Sequence, residues 1–161
     1  PKSVFQLYAL SVWNMIPTCK LCNQTFKGSR FIPLLNPLEA GFDADCFLNV
    51  EFHSLGQLLG KDNNFDVSWE LDPFISADTR EKIENNIQMF RLNEVYQYHK
   101  EELRLVLKRR QMLSSRRYVE EVKKLVGEED LDEILLGIPE KPENLDKRIL
   151  AKAKYDVVKR N

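Results

Sequence analysis

Long apolar runs are missing from this sequence. No stretch of its 161 residues approaches the roughly 18 apolar residues a membrane helix needs, so a spanning helix is not expected. A surplus of one charge is missing too. The 24 Lys and Arg stand against 25 Asp and Glu, a formal net charge of −1. Overall charge therefore gives no drive toward nucleic acid, and any DNA-binding surface has to be a local patch. A disulfide framework is also missing: Cys19, Cys22 and Cys46 are odd in number. That count in a chain of this size fits a reducing compartment, and the expected location is the cytoplasm. No signal-peptide pattern, repeat or low-complexity tract is visible. The opening "PKSVFQLYAL" has no methionine, and the expectation is a piece cut from something longer.

What is present suits a soluble globular chain, with 43% hydrophobic and 30% charged residues. "QLYALSVWNMI" reads as a short strand or hairpin arm. Thr18 and Gly28 stand where a helix start and stop belong, which predicts a short helix over 19–27. Residues 31–46, with Pro33, Pro37 and Gly41, read as irregular. Leu48, Val50 and Phe52 alternate, as do Phe65, Val67, Trp69 and Leu71, so the segment near 47–72 predicts an antiparallel strand pair with "GKDNN" as a turn. Beyond Pro73 the pattern is helical. Asp78-Thr-Arg-Glu81 has capping-box form ahead of Ile83, Ile87 and Phe90. Asn93 caps a predicted long helix through Leu113 with Tyr96, Leu103, Val106 and Leu107 on its apolar face, and Ser114-Ser115 breaks it. Shorter helices stop at Gly127 and Gly137. "PEKPEN" reads as a linker, and Asn144 caps a final helix with the stripe Leu145, Ile149, Ala153 and Val157. The expected class is α+β, mostly helical, with residues 31–161 packed as one domain after a finger over 1–30.

The chemistry concentrates in "WNMIPTCKLCNQTFKG", residues 13–28. Cys-x-x-Cys presents two thiolates from one turn, a spacing suited to one zinc ion. A structural site needs four ligands. The only other Cys or His residues are Cys46, His53 and His99, and none has a matching spacing. The bland alternative is two half-buried cysteines in a small helix.

The wider pattern is Asn14, Pro17, Cys19, Cys22, Asn23, Lys27 and Gly28. It resembles the second half of the HNH endonuclease motif, the ββα-metal or His-Me finger. In one bacterial branch the first half reads Asp-His-aromatic-x-Pro-Lys-Ser, and this chain opens Pro1-Lys2-Ser3. Asn36-Pro37, the strand pair and "IQMFRLNEVYQYH" are similar to that branch as well. The resemblance implies a β-hairpin over a helix with a divalent cation between them, magnesium or another. It implies Asn14 as the residue that pins the hairpin and Asn23 as a metal ligand on the helix. An Asp ligand and a His general base would precede Pro1. Zinc-containing relatives carry a second cysteine pair upstream, so Cys19 and Cys22 would form a structural zinc half-site. The implied function is metal-dependent hydrolysis of DNA, with this fragment inactive for want of the base. Such proteins often serve bacterial anti-phage defence beside an ATPase partner.

The remaining candidates are cations. Lys2, Lys20, Lys27 and Arg30 surround the motif and suit phosphate contacts, which fix position and not sequence. "KRRQMLSSRR", Lys108 to Arg117, is the densest basic run, readable as a DNA-facing patch or as a solvated helix face. His99 reads as a half-buried structural histidine, and Trp13 and Trp69 as core. The alternative to a nuclease is a non-catalytic zinc-finger-like module for nucleic-acid binding or assembly.

Overall fold

A computed structural model describes residues 19–160 apart from positions 38, 43, 128 and 129. The predicted arm before Thr18, with Asn14, Lys2 and Trp13, and the Thr18 cap itself lie outside the described residues. The described elements begin with helix α1 (Leu21–Lys27), strand β1 (Cys46–Glu51), helix α2 (Leu55–Leu58) and strand β2 (Asp66–Leu71). Helices α3 (Ala77–Met89), α4 (Leu92–Gln97), α5 (Lys100–Leu113) and α6 (Arg116–Val126) follow. The chain ends with α7 (Asp132–Leu136), a 3₁₀ turn (Pro142–Lys147) and α8 (Ala151–Lys159). This is the expected mostly helical α+β class. Among the described residues no helix is long and apolar enough to cross a membrane.

The chain divides into two compact units. One comprises Pro1–Cys46 with Leu71–Asn93, the other Phe47–Glu70 with Glu94–Asn161. The first holds α1, the irregular segment after it and α3. On α3 the residues Ile83 and Ile87 are buried as expected, but the third is Met89, and Phe90 at the helix end is only half-buried. Its start differs from the capping-box reading. Ser76 caps it, its Oγ accepting from the Thr79 amide at 3.1 Å. Asp78 sits inside the first turn, bonded to Lys82 at 2.6 Å. The serine wins because its extended backbone (φ −62°, ψ 151°) leaves the side chain free to fold back onto the turn. Asn85 Nδ2 donates to the Pro33 carbonyl at 2.9 Å, tying the irregular segment to α3.

The second unit is built on the two-stranded antiparallel sheet. Leu48 and Val50 on β1 are buried, as are Phe65, Val67 and Trp69 at and on β2, so the period-two reading holds. The connection is not a bare turn. It carries α2, capped by Ser54 Oγ, and is stitched by the buried Gln57 side chain. Gln57 Oε1 accepts from the His53 amide at 2.7 Å and its Nε2 donates to the Asn64 carbonyl at 3.1 Å. Four residues are too short to show a helical period, so α2 was invisible to patterning.

Two further expectations change. The long helix from Asn93 is broken at Tyr98 and His99 into α4 and α5. The amides of Tyr98 and His99 bond to the carbonyls of Val95 and Tyr96, i→i+3 contacts that tighten and end α4. The Tyr96 ring meets Trp69 edge-on at 5.0 Å and His99 at 5.8 Å, a tertiary contact that the local sequence does not encode. At the C-terminus Asn144 does not cap the last helix. It lies within the 3₁₀ turn, and α8 starts after Leu150, which sits at φ 57°. Ile149 is therefore 86% exposed and not part of the core stripe, while Ala153 and Val157 are buried as expected.

The core of this unit includes Leu103, Val106 and Leu107 of α5, Leu136 and Ile138, and the α8 residues Val157 and Val158. Within that apolar surround lies Asp156, fully buried. Its carboxylate accepts from the Leu48 amide at 2.9 Å and from Lys152 Nζ at 2.7 and 2.8 Å. A buried carboxylate is tolerated only with such partners, and here they fasten α8 to β1.

Candidate functional site

The helix that carries the candidate residues is wound as a π-helix. The Gly28 amide bonds to the Asn23 carbonyl at 3.0 Å, an i→i+5 contact, after the Asn23 amide has bonded to the Cys19 carbonyl at 3.0 Å. Gly28 stops the helix as expected, at φ 52°. π-Helical turns are rare and recur at functional sites. The first bond, of ordinary α type, sets Asn23 one turn after Cys19, and the wide turn that follows sets Gly28 one turn after Asn23. None of its seven residues is buried.

Cys19 is exposed, and its Sγ accepts a hydrogen bond from the Cys22 amide at 3.3 Å. The Cys22 amide, then the Cys22 thiol donating to the same sulfur, hold the Cys19 thiol below its usual value. Cys22 is half-buried. Its donation to Cys19, with burial second and the Cys19 charge third, pushes its own thiol up. That donation to the Cys19 sulfur favours its thiolate over its thiol, and the thiolate is the form that binds metal. Two thiols fit two of the four positions of a tetrahedral zinc ion. Asn23 is exposed, with an amide oxygen of the hard type that magnesium prefers. Among the described residues, no group of three or more His, Cys, Asp or Glu gathers to complete either site. The third cysteine, Cys46, is buried on β1.

The expected cations fall out as follows. Lys20 and Arg30 are exposed and Lys27 half-buried. Arg30 donates to the Phe26 carbonyl. A residue the sequence reading missed joins them: Arg91, whose guanidinium lies 5.7 Å from the Phe26 ring centroid. Nothing local to "FRLNE" signals that contact, because 64 positions separate the two side chains.

His53 Nε2 is 3.0 Å from Asp66 Oδ2, and Lys100 lies 3.4 Å from the other oxygen. The bond to His53 first, then that to Lys100, holds the Asp66 carboxyl below its usual range. His99 is half-buried and precedes α5. In the basic run, Arg116 bonds to Glu120 at 2.9 Å and Arg109 to the Leu135 carbonyl at 3.2 Å. Those two arginines are partly engaged within the protein. No protein family, no curated protein and no solved structure matches this chain, so its assignment rests on the residues just described.

Proposed function

We propose that this chain is part of an HNH-type, metal-dependent DNA endonuclease. The observation that supports it is the helix of the motif: Asn23 stands exposed one turn from an exposed Cys19, with Lys27 and Gly28 on its other side. That is the presentation a metal-ligand asparagine requires. In this reading the exposed amide oxygen of Asn23 would help hold a divalent cation, which would supply charge stabilisation at the leaving oxygen. Lys20, Lys27 and Arg30 hold the phosphate backbone in register. Cys19 and Cys22 clasp the finger as half of a structural zinc site. The proton of the attacking water would go to the imidazole of the motif's first His, as the resemblance implies. Bacterial defence alongside an ATPase is the setting that goes with this reading.

The test is plasmid cleavage with magnesium by the protein carrying Asp-His ahead of Pro1. The Asn23→Ala variant is expected to lose at least 100-fold in rate, of the order one positioned group supplies, roughly 10²–10⁴. The 161-residue chain alone should not cleave. Full activity in Asn23→Ala, or cleavage by the 161-residue chain that survives repurification, refutes the assignment.

A second reading is favoured by the Cys22 amide bonded to Cys19 Sγ: a zinc-dependent binding or assembly module without catalysis. It predicts zinc in the longer protein, lost with Cys19→Ser/Cys22→Ser together with thermal stability, and no cleavage under any metal. Equal zinc content and equal melting in the two proteins removes the zinc role from both readings.

A further inference from the structure

The three cysteines of this chain stand at three depths. Cys19 is exposed, Cys22 half-buried and Cys46 fully buried on β1. The first two share one turn. The Asn23 amide bonds to the Cys19 carbonyl at 3.0 Å, which closes an α-type turn around both, and the Cys22 amide donates to Cys19 Sγ at 3.3 Å. The Cys22 thiol is hydrogen-bonded to that same sulfur. The Cys19 side chain is thus folded back over the turn, toward Cys22.

A disulfide sets its Cβ atoms about 3.5–4.5 Å apart, and positions three apart in a helical turn hold theirs at about 5–6 Å. Closing a bond between Cys19 and Cys22 therefore asks for an inward movement of roughly 1–2 Å. Nothing packed resists it, because none of the residues of α1 is buried. The two sulfurs also differ in access, and access decides which thiol meets a reagent first. A solvent-accessible thiol beside a resolving cysteine is the arrangement of redox-responsive sites.

We infer that Cys19 and Cys22 form a thiol–disulfide exchange site for low-molecular-weight disulfides, with Cys19 as the attacking sulfur and Cys22 as the resolving one. In the first step the Cys19 thiolate bonds to one sulfur of the small disulfide. That S–S bond breaks, and the departing thiolate takes up a proton. In the second step the Cys22 thiol gives its proton to solvent, its sulfur bonds to Cys19 Sγ, and the second small thiol leaves. Two cysteine thiols are oxidised to one disulfide, and one small disulfide is reduced to two thiols. A small dithiol reverses both steps. Cys46, sealed in the core, stays outside the exchange. A zinc ion would compete for the same two sulfurs, so oxidation would dismantle the zinc half-site. That consequence rests on the zinc reading above; the exchange itself does not.

The experiment is a redox titration of the 161-residue chain over a series of ratios of reduced to oxidised glutathione, with EDTA present. Thiols are blocked with maleimide after acid quenching and unfolding, then counted by mass spectrometry. The wild type should pass from three blocked thiols to one in a single step. Peptide mapping should place the new bond between Cys19 and Cys22. In Cys22→Ser, glutathione should stay attached to Cys19. In Cys19→Ser, attachment at Cys22 should be about tenfold slower or more, because that sulfur is half-buried. Urea should erase the difference, since the unfolded chain exposes both. The same contrast is readable without substitution, as brief iodoacetamide treatment of the folded wild type should label Cys19 ahead of Cys22. The inference is overturned if the wild type carries separate glutathiones in place of the paired disulfide, or if Cys46 takes part. It is overturned equally if the two sulfurs react at equal rates in the folded chain, or if their difference persists in urea. Because EDTA excludes metal, failure here would leave the zinc reading standing, and a longer protein without zinc would leave the exchange standing.

Discussion

Removing the Asp156 carboxylate should be the most damaging polar substitution in the second unit. Asp156→Ala withdraws the acceptor from the Leu48 amide and the counter-charge from Lys152, whose side chain is only 21% exposed. Breaking a buried pair from one side typically costs about 3–5 kcal/mol. Losing the acceptor of the strand amide contributes about 1–3 kcal/mol, partly overlapping that figure. We expect a total near 4 kcal/mol, against a stability of roughly 5–15 kcal/mol for a domain of ordinary size. Urea unfolding followed by circular dichroism reads it as a shift of the midpoint at constant slope. The double variant Lys152→Met/Asp156→Leu separates the two parts. It removes both charges at once, so it should recover most of the ion-pair loss and keep only the deficit at the Leu48 amide, about 1–3 kcal/mol. A single Asp156→Ala loss below about 1 kcal/mol would refute the account, because it would mean the pair and strand contact make no net contribution in solution. A double variant as damaging as the single would refute the partition, since the cost would then lie in packing volume.

Gly60 is at φ +65°, and a Cβ there would stand 2.7 Å from both the Arg104 carbonyl and the Lys108 amide. Gly60→Ala should cost about 3 kcal/mol or more, combining a left-handed penalty of roughly 1–2 with overpacking of roughly 1–3; a change under 1 kcal/mol in urea midpoint analysis would contradict this. Burial first, and the Asp156 charge second, raise the Tyr96 hydroxyl above its usual value. The folded state therefore holds this proton more tightly than the unfolded chain. The resulting stability is complete below the unfolded value of about 10 and is lost as pH rises through the folded one. Tyr96→Phe should shift alkaline unfolding to higher pH, and identical pH midpoints for the two proteins would show that Tyr96 is not the sensitive group.

The class of fold was legible in the sequence because its signals are local. Alternation at Leu48, Val50, Phe65, Val67 and Trp69 marks strands wherever one face is buried, and Gly28, Gly127 and Gly137 mark helix stops because each adopts positive φ. The Cys-x-x-Cys and Asn23 were likewise legible, since their spacing lies within one turn of chain. Only the tertiary structure decided the rest. The break between α4 and α5 accompanies Tyr96 packing on Trp69, a partner 27 positions away. The late start of α8 follows the 3₁₀ turn, not Asn144. The burial of Asp156 depends on an amide 108 residues earlier, and the placing of Arg91 over Phe26 on the short break between α3 and α4. Propensity and periodicity report on neighbours along the chain, whereas buried charge and cation–aromatic contacts depend on neighbours in space. Composition alone put the acids after Leu38; folding brought a further arginine to the segment they leave positive.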